Sequence, residues 1–181
     1  MTSLGLLELS SIARGIEAGD AMLKAADVRL LRSATVCPGK YIVIIAGEVA
    51  AVAAAMAAGR ACAASFLVDD LVIANLDEQV TTALSGCTVP PKAAALGVME
   101  FFSIAASVVA ADTAAKAAEV SLLEVRLGLG IGGKSFVTLT GSVASVEAAV
   151  SAGVKEAAEK GMVVCTSVIP SPSPEIFRAM L

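Results

Sequence analysis

Residues 4–31, LGLLELSSIARGIEAGDAMLKAADVRLL, return 92 positions later as residues 96–123, LGVMEFFSIAASVVAADTAAKAAEVSLL. Fourteen of the twenty-eight aligned positions are identical, and no gap is needed. After an insertion of two residues the similarity resumes, so that Lys40 matches Lys134 and Gly47 matches Gly141. A repeat of this length predicts two copies of one folding unit in tandem.

Each copy has the pattern of a compact β-α-β-β-α-β unit. Short apolar segments rich in β-branched residues alternate with Ala-rich segments of helical length, and Cys37-Pro38-Gly39 has the composition of a tight turn between two strands. We therefore predict an α/β (α+β) fold with two ferredoxin-like units. The predicted first domain covers residues 1–86, the linker residues 87–94 and the second domain residues 95–181.

Composition limits the classes of function. The 181 residues carry a net charge of -4 and include no histidine, which removes the commonest general base and metal ligand. No basic cluster is present, so we expect no nucleic-acid partner. Mean hydropathy is +0.83, but the uncharged stretches look too short or too rich in proline to span a membrane. We expect a cytoplasmic protein without a membrane partner, and the small, Ala-rich cores favour a chain that gains stability by assembling.

The segment Gly128-Leu129-Gly130-Ile131-Gly132-Gly133-Lys134-Ser135 fits the phosphate-loop pattern GxxxxGK[ST]. That motif binds phosphate only where a helix follows it. The next residues, 136–141, are β-branched or aromatic residues that alternate with polar ones, which predicts a strand. The first copy has only a short turn at this place. We therefore do not expect a nucleotide-binding enzyme, and we predict no catalytic residue.

Several charged and thiol side chains recur or stand alone. Glu8 and Glu100 occupy equivalent positions, which suits a structural role at a domain or subunit contact. Lys24 and Lys116 each follow an aspartate by four residues, so that they belong either to a solvated helix face or to a contact between molecules. No pair of cysteines has CxxC spacing, and we expect Cys62 and Cys165 to be small buried residues.

Both copies resemble the bacterial microcompartment shell domain. The resemblance rests on the two quoted stretches, on CPGK at residues 37–40, on IIAGEVAAVAAAMAAG at residues 44–59, on GIGGKSFVTLTGSVASVEAAV at residues 130–150 and on SVIP at residues 167–170. It implies a homotrimer that imitates a hexamer, a non-enzymatic shell tile, and contacts with other shell proteins at the tile edges. It also implies that Lys24 and Lys116 lie at these edges. The family often has an arginine after VIP, where this chain has Ser171, so we expect that edge contact to be lost or remade.

The resemblance further implies that two turns line a central pore. Their residues are Val36, Cys37, Pro38, Gly39 and Lys40 in the first copy and Gly128, Leu129, Gly130, Ile131, Gly132, Gly133 and Lys134 in the second copy. A turn with cysteine is similar to that of a subgroup holding an iron–sulfur cluster. This implies that Cys37 of three chains ligates one [4Fe–4S] cluster, with a fourth ligand from elsewhere.

Such a pore would relay electrons, with encapsulated redox enzymes as further partners, and without the cluster it would pass small metabolites. The alternative is a trimeric, ferredoxin-like regulatory protein that binds a ligand.

Overall fold

The computed structural model describes residues 2–86 and 94–180. The chain forms two compact units, residues 1–76 (unit 1) and residues 77–181 (unit 2). The division falls inside the predicted first domain, whose last ten residues belong to unit 2.

Unit 1 is an antiparallel four-stranded sheet with two helices. Ser11 caps the first helix by accepting a hydrogen bond from the Arg14 N–H. The elements are β1 Ser3–Leu9, α1 Ile12–Ala25, β2 Arg29–Val36, β3 Lys40–Gly47, α2 Val49–Ala63 and β4 Leu67–Ile73. The strand order is β2-β3-β1-β4, so the predicted ferredoxin-like β-α-β-β-α-β fold is confirmed.

Unit 2 repeats this plan and adds a helix at each end. The elements are α3 Glu78–Ser85, β5 Ala95–Phe101, α4 Ile104–Ala117, β6 Val120–Leu127, β7 Ser135–Gly141, α5 Val143–Glu159, β8 Val163–Pro170 and α6 Pro174–Met180. The strand order β6-β7-β5-β8 is the equivalent of the order in unit 1.

Helix α3 explains where unit 2 begins. It follows β4 in sequence, but it packs against β6 and α4. The Leu122 N–H donates to Gln79 Oε1 at 3.0 Å, and the Asp77 N–H donates to Asp112 Oδ1 at 2.8 Å. These contacts attach residues 77–86 to the second sheet. Most of the predicted linker, residues 87–93, lies outside the described residues.

Small residues let the helices lie close to the sheets. A methyl group added at Gly59 of α2 would lie 2.5 Å from Leu7 Cδ1 and 2.7 Å from Met22 Cγ. These distances are shorter than real carbon contacts, so a glycine is needed where α1, α2 and β1 meet. The core of unit 1 is formed by side chains that include Leu7, Met22 and Met56, all of them fully buried.

Within residues 2–86 and 94–180, one helical segment, Val49–Phe66, is long and apolar enough to cross a membrane, with a mean hydropathy of 1.6. Arg60 interrupts this segment, so it does not stand out among the uncharged stretches of the sequence. The signal is weak, since the core helix of a globular domain gives the same one. Arg60 forms an ion pair with Asp70 of β4, and Val52, Met56 and Ala63 of this segment are buried within unit 1.

Candidate functional site

The β2–β3 hairpin of unit 1 carries the first set of candidate residues. Val36 pairs with Lys40 across the hairpin, which leaves a three-residue loop of Cys37, Pro38 and Gly39. Gly39 has φ +79°, in the left-handed region that favours glycine. Val36 is buried, Cys37 is half-buried, and the other two loop residues are exposed. The hairpin thus presents one thiol beside a short exposed tip.

The equivalent β6–β7 hairpin of unit 2 is longer. Leu127 pairs with Ser135, so the loop contains seven residues, 128–134. Four of its glycines have positive φ values: Gly128, Gly130, Gly132 and Gly133. The Gly128 N–H donates to the Lys134 carbonyl at 3.0 Å, which closes the loop at its base. Strand β7 follows directly, so the expectation that no helix follows the phosphate-loop pattern is confirmed.

The lysine at the end of each loop is paired with a glutamate of the central strand. Lys40 Nζ lies 2.6 Å from Glu8 Oε1, and the residue Glu8 is only 3% exposed. In unit 2, Lys134 forms the same ion pair with Glu100, and both of these side chains are more exposed than Glu8. The glutamates thus have a structural role within each unit, and these two ion pairs were not predicted from the sequence. Their only signal in the sequence was that both members recur together.

Cys37 is the only predicted metal ligand. No group of three or more His, Cys, Asp or Glu side chains that could hold a metal ion occurs among the described residues of one chain. One chain offers a single thiol here, at the half-buried Cys37 beside the exposed loop tip. This thiol can help to hold an iron–sulfur cluster only if several chains each contribute one thiolate. Of the other thiols, Cys62 is half-buried against the core of unit 1. The expectation that Cys165 is buried is wrong, because Cys165 lies exposed on the edge strand β8.

The two predicted edge lysines lie in the last turns of α1 and α4. A positive charge is favourable there because it faces the negative end of the helix dipole. Lys24 pairs with Asp20, and both side chains are well exposed. Lys116 Nζ lies 2.6 Å from Asp112 Oδ2. Asp112 is largely buried, and its Oδ1 also accepts the Asp77 N–H at the start of α3. The structure therefore bears out the i,i+4 pairing in both copies, but the surroundings of the two lysines differ.

The family model described as "BMC domain" matches residues 3–76 and 95–172. The bacterial microcompartment shell protein PduT of Citrobacter freundii is 46% identical over 179 residues, which cover 99% of this chain and 97% of PduT.

Two solved structures share the fold. The crystal structure of a microcompartments protein from Desulfitobacterium hafniense DCB is 58% identical, covers 98% of this chain and 99% of that chain, and has a TM-score of 0.94. The fused permuted hexameric shell protein MSM0275 from the RMM microcompartment is 25% identical, covers 87% and 84% of the two chains, and has a TM-score of 0.63. Since the domain model matches both copies and PduT is similar over nearly its whole length, the chain belongs to the BMC-domain family and is a structural protein of bacterial microcompartment shells.

Proposed function

We propose that three copies of the chain close into a ring of six similar domains, and that this ring is a non-enzymatic tile of the shell with a pore at its centre. The observation that carries the proposal is the duplication itself. Two units with the same strand order stand in one polypeptide, so three chains supply the six domains of a pseudohexamer. Closed cyclic symmetry is the usual form of a homo-oligomer.

Light scattering tests the ring directly. We expect a particle of three times the chain mass of 18.0 kDa, and hexagonal particles with a central opening in electron micrographs. At high concentration the particles should associate into flat layers. Discrete trimers without layers would favour the ligand-binding regulator, and a monomer at micromolar concentration would refute the ring.

The β2–β3 and β6–β7 hairpins are proposed to line the pore, three of each in alternation. The ion pairs with Glu8 and Glu100 hold Lys40 and Lys134 at the bases of the loops. Loop tips around the opening would then consist of Cys37, Pro38 and Gly39 and of the glycine-rich loop 128–134. Without a bound cluster, an opening lined by these residues would have little fixed charge and would pass small molecules according to size.

Lys24 and Lys116 are proposed to lie at the tile edges. The two lysines occupy equivalent positions at the ends of α1 and α4, and the side chain is well exposed at Lys24 and partly exposed at Lys116. Both positions therefore suit a contact with another molecule. Lys24→Ala combined with Lys116→Ala should abolish the layers while the trimer remains, since the two changes remove surface charges without affecting the core. Intact layers formed by Lys24→Ala and Lys116→Ala together would contradict this assignment.

Cys37 is proposed to hold a [4Fe–4S] cluster. A threefold axis brings together three copies of this thiol, and three thiolates account for three of the four irons, with an outside ligand on the fourth. The bound cluster would supply one-electron transfer, which would suit redox enzymes enclosed by the shell. Each chain would contribute one thiolate, from the half-buried Cys37. The other two residues of the loop, Pro38 and Gly39, have no side chain that could bind iron.

Anaerobic reconstitution with iron and sulfide tests the cluster. We expect about one cluster per trimer, measured by iron and acid-labile sulfide, and loss of both in Cys37→Ser. Cys165→Ser is the matched control, because that thiol is exposed and lies on the edge strand β8, which is part of neither hairpin. Equal iron content in the two variants, or none in the unmodified protein, would refute the assignment.

A further inference from the structure

Helices α3 and α6 are equivalent elements of the repeat. Leu4 of β1 pairs with Ile73, and its counterpart Leu96 pairs with Ile169, so the segments after β4 and β8 correspond with an offset of 96. Asp77 accepts the N–H of the residue two positions later at the start of α3. Ser173, its counterpart, does the same at the start of α6.

Only α3 is docked. It packs on β6 and α4, where Gln79 accepts the Leu122 N–H and Asp112 accepts the Asp77 N–H. Its apolar side chains, which include Val80 and Ala83, are buried. The helix and its binding surface are therefore complementary both in apolar area and in hydrogen bonds.

On helix α6, the apolar face that corresponds to the buried face of α3 is exposed to solvent. Ile176 is 57% exposed, whereas its counterpart Val80 is fully buried. Ala179 is exposed, whereas Ala83 is buried. Within the described part of the chain, α6 makes no extensive contact with another helix or strand. An apolar side chain of this size gains free energy when it is covered.

The surface equivalent to the binding surface of α3 is also uncovered in unit 1. We define it as the α1–β2 surface, formed by Ile12, Ile16, Asp20 and Leu30. All four residues are exposed, with Ile16 at 56%. Their counterparts in unit 2 are buried: Ile104, Val108, Asp112 and Leu122. Strand β2 is moreover an edge strand, so no strand of the sheet of unit 1 covers its outer side.

We infer that α6 docks on the α1–β2 surface of a second copy of this chain. The repeat identifies the partner of α6. Helix α3 follows the first sheet and packs on the helix and edge strand of the second sheet. Helix α6 follows the second sheet, so the next equivalent surface belongs to unit 1 of another chain. This inference rests on the proposed ring and adds the contact that closes it. The interface is head-to-tail, and it leaves no unpaired α6 once three chains have joined.

The α3 contacts predict the atoms that meet. The Ser173 N–H of one chain donates to the Asp20 carboxylate of the next chain, as the Asp77 N–H does to Asp112. The Leu30 N–H donates to the Glu175 carboxylate, as the Leu122 N–H does to Gln79. Because Glu175 carries a charge that Gln79 lacks, the second hydrogen bond is charge-assisted and stronger than its counterpart.

A disulfide cross-link tests the contact in the full-length chain. Asp20→Cys combined with Ser173→Cys places thiols at the positions of the closest equivalent contact. Under mild oxidation we expect covalent dimers and trimers on a non-reducing gel, and none with either single variant, which controls for the four native cysteines. Mixing the two single variants, one of them with a tag that changes its size, should give a mixed dimer. A cross-link only within one chain, or no cross-link in a protein that is trimeric by light scattering, would overturn the inference and leave the ring intact. A protein that is monomeric by light scattering would refute the ring itself.

A pair of substitutions on α6 gives a second test. Ile176→Ser should raise the protein concentration at half-dissociation of the trimer by about tenfold or more, because it removes a buried aliphatic side chain. Arg178→Ser is the matched control, since its counterpart Thr82 stays exposed on the docked α3, and it should change that concentration by less than about twofold. Equal effects of the two variants would contradict the proposed orientation of α6.

Discussion

Two glycines of α1 allow a direct test of how closely the helix packs on the sheet. Gly15 and Gly19 lie one turn apart, and both are buried against β3. A methyl group at Gly15 would lie 2.4 Å from Tyr41 Cδ1 and 2.6 Å from Tyr41 Cβ. At Gly19 the nearest atom, Val43 Cγ2, is 3.4 Å away, which is an ordinary van der Waals distance.

These distances predict changes of opposite sign in the free energy of unfolding when glycine is replaced by alanine at the two positions. Alanine is favoured over glycine inside a helix by about 0.5–1 kcal/mol, so Gly19→Ala should stabilise the protein by about that amount. At Gly15 this gain is outweighed by overpacking, which costs about 1–3 kcal/mol. Tyr41 cannot easily move away, because its hydroxyl is hydrogen-bonded to Ser33 Oγ at 2.9 Å and its Cβ is fixed to β3. Gly15→Ala should therefore be destabilising by about 1–2 kcal/mol.

Thermal unfolding followed by circular dichroism measures both changes. All samples need the same protein concentration, because the Tm of an assembling protein depends on it. For a chain of this length 1 kcal/mol corresponds to about 2–4 °C, so Gly19→Ala should melt about 1–4 °C higher and Gly15→Ala about 2–8 °C lower than the unmodified protein. A Tm of Gly15→Ala equal to that of Gly19→Ala would contradict the close approach of α1 to Tyr41.

Three further predictions concern the hairpins and a helix cap. Lys40→Met leaves the buried Glu8 carboxylate without its partner and should lower the free energy of unfolding in urea by about 1–3 kcal/mol. Lys134→Met, at a more exposed ion pair, should lower it by less than about 1 kcal/mol. A larger loss for Lys134→Met than for Lys40→Met would contradict the difference in burial. Gly39→Ala should cost about 1–2 kcal/mol from its positive φ alone, since no atom lies within 4 Å of the added methyl group; a change of less than about 0.3 kcal/mol in urea unfolding would contradict this backbone conformation. Ser103→Ala removes the hydroxyl that accepts the Ala106 N–H at 3.2 Å and should lower the Tm by about 2–4 °C; an unchanged Tm would show that this cap contributes nothing.

Sequence alone was sufficient for the order of the elements. The repeat at residues 4–31 and 96–123 predicted two similar units, and the alternation after Lys134 predicted a strand where a motif alone would have indicated a phosphate-binding helix. Both inferences depend on local patterns, which a sequence displays directly. The three-residue turn at Cys37 was predicted for the same reason.

Contacts between distant residues could not be predicted in this way. Glu8 and Lys40 are 32 positions apart, and they meet only because the register places Glu8 opposite Ile42, two residues from Lys40. The attachment of α3 to β6 and α4 depends on Gln79 and Asp112, and nothing in the sequence around these two residues indicates that role. The exposure of Cys165 follows from its position on an edge strand, which depends on the strand order and not on its neighbours in sequence.

The two hairpins differ in length and composition although the sheets that carry them have the same strand order. A ring built from single domains would repeat any substitution six times, at every position around its axis. In the proposed ring, a change in one hairpin of this chain is repeated only three times. Duplication therefore gives evolution independent access to alternate positions of one opening: a thiol at three of them and a glycine-rich rim at the other three.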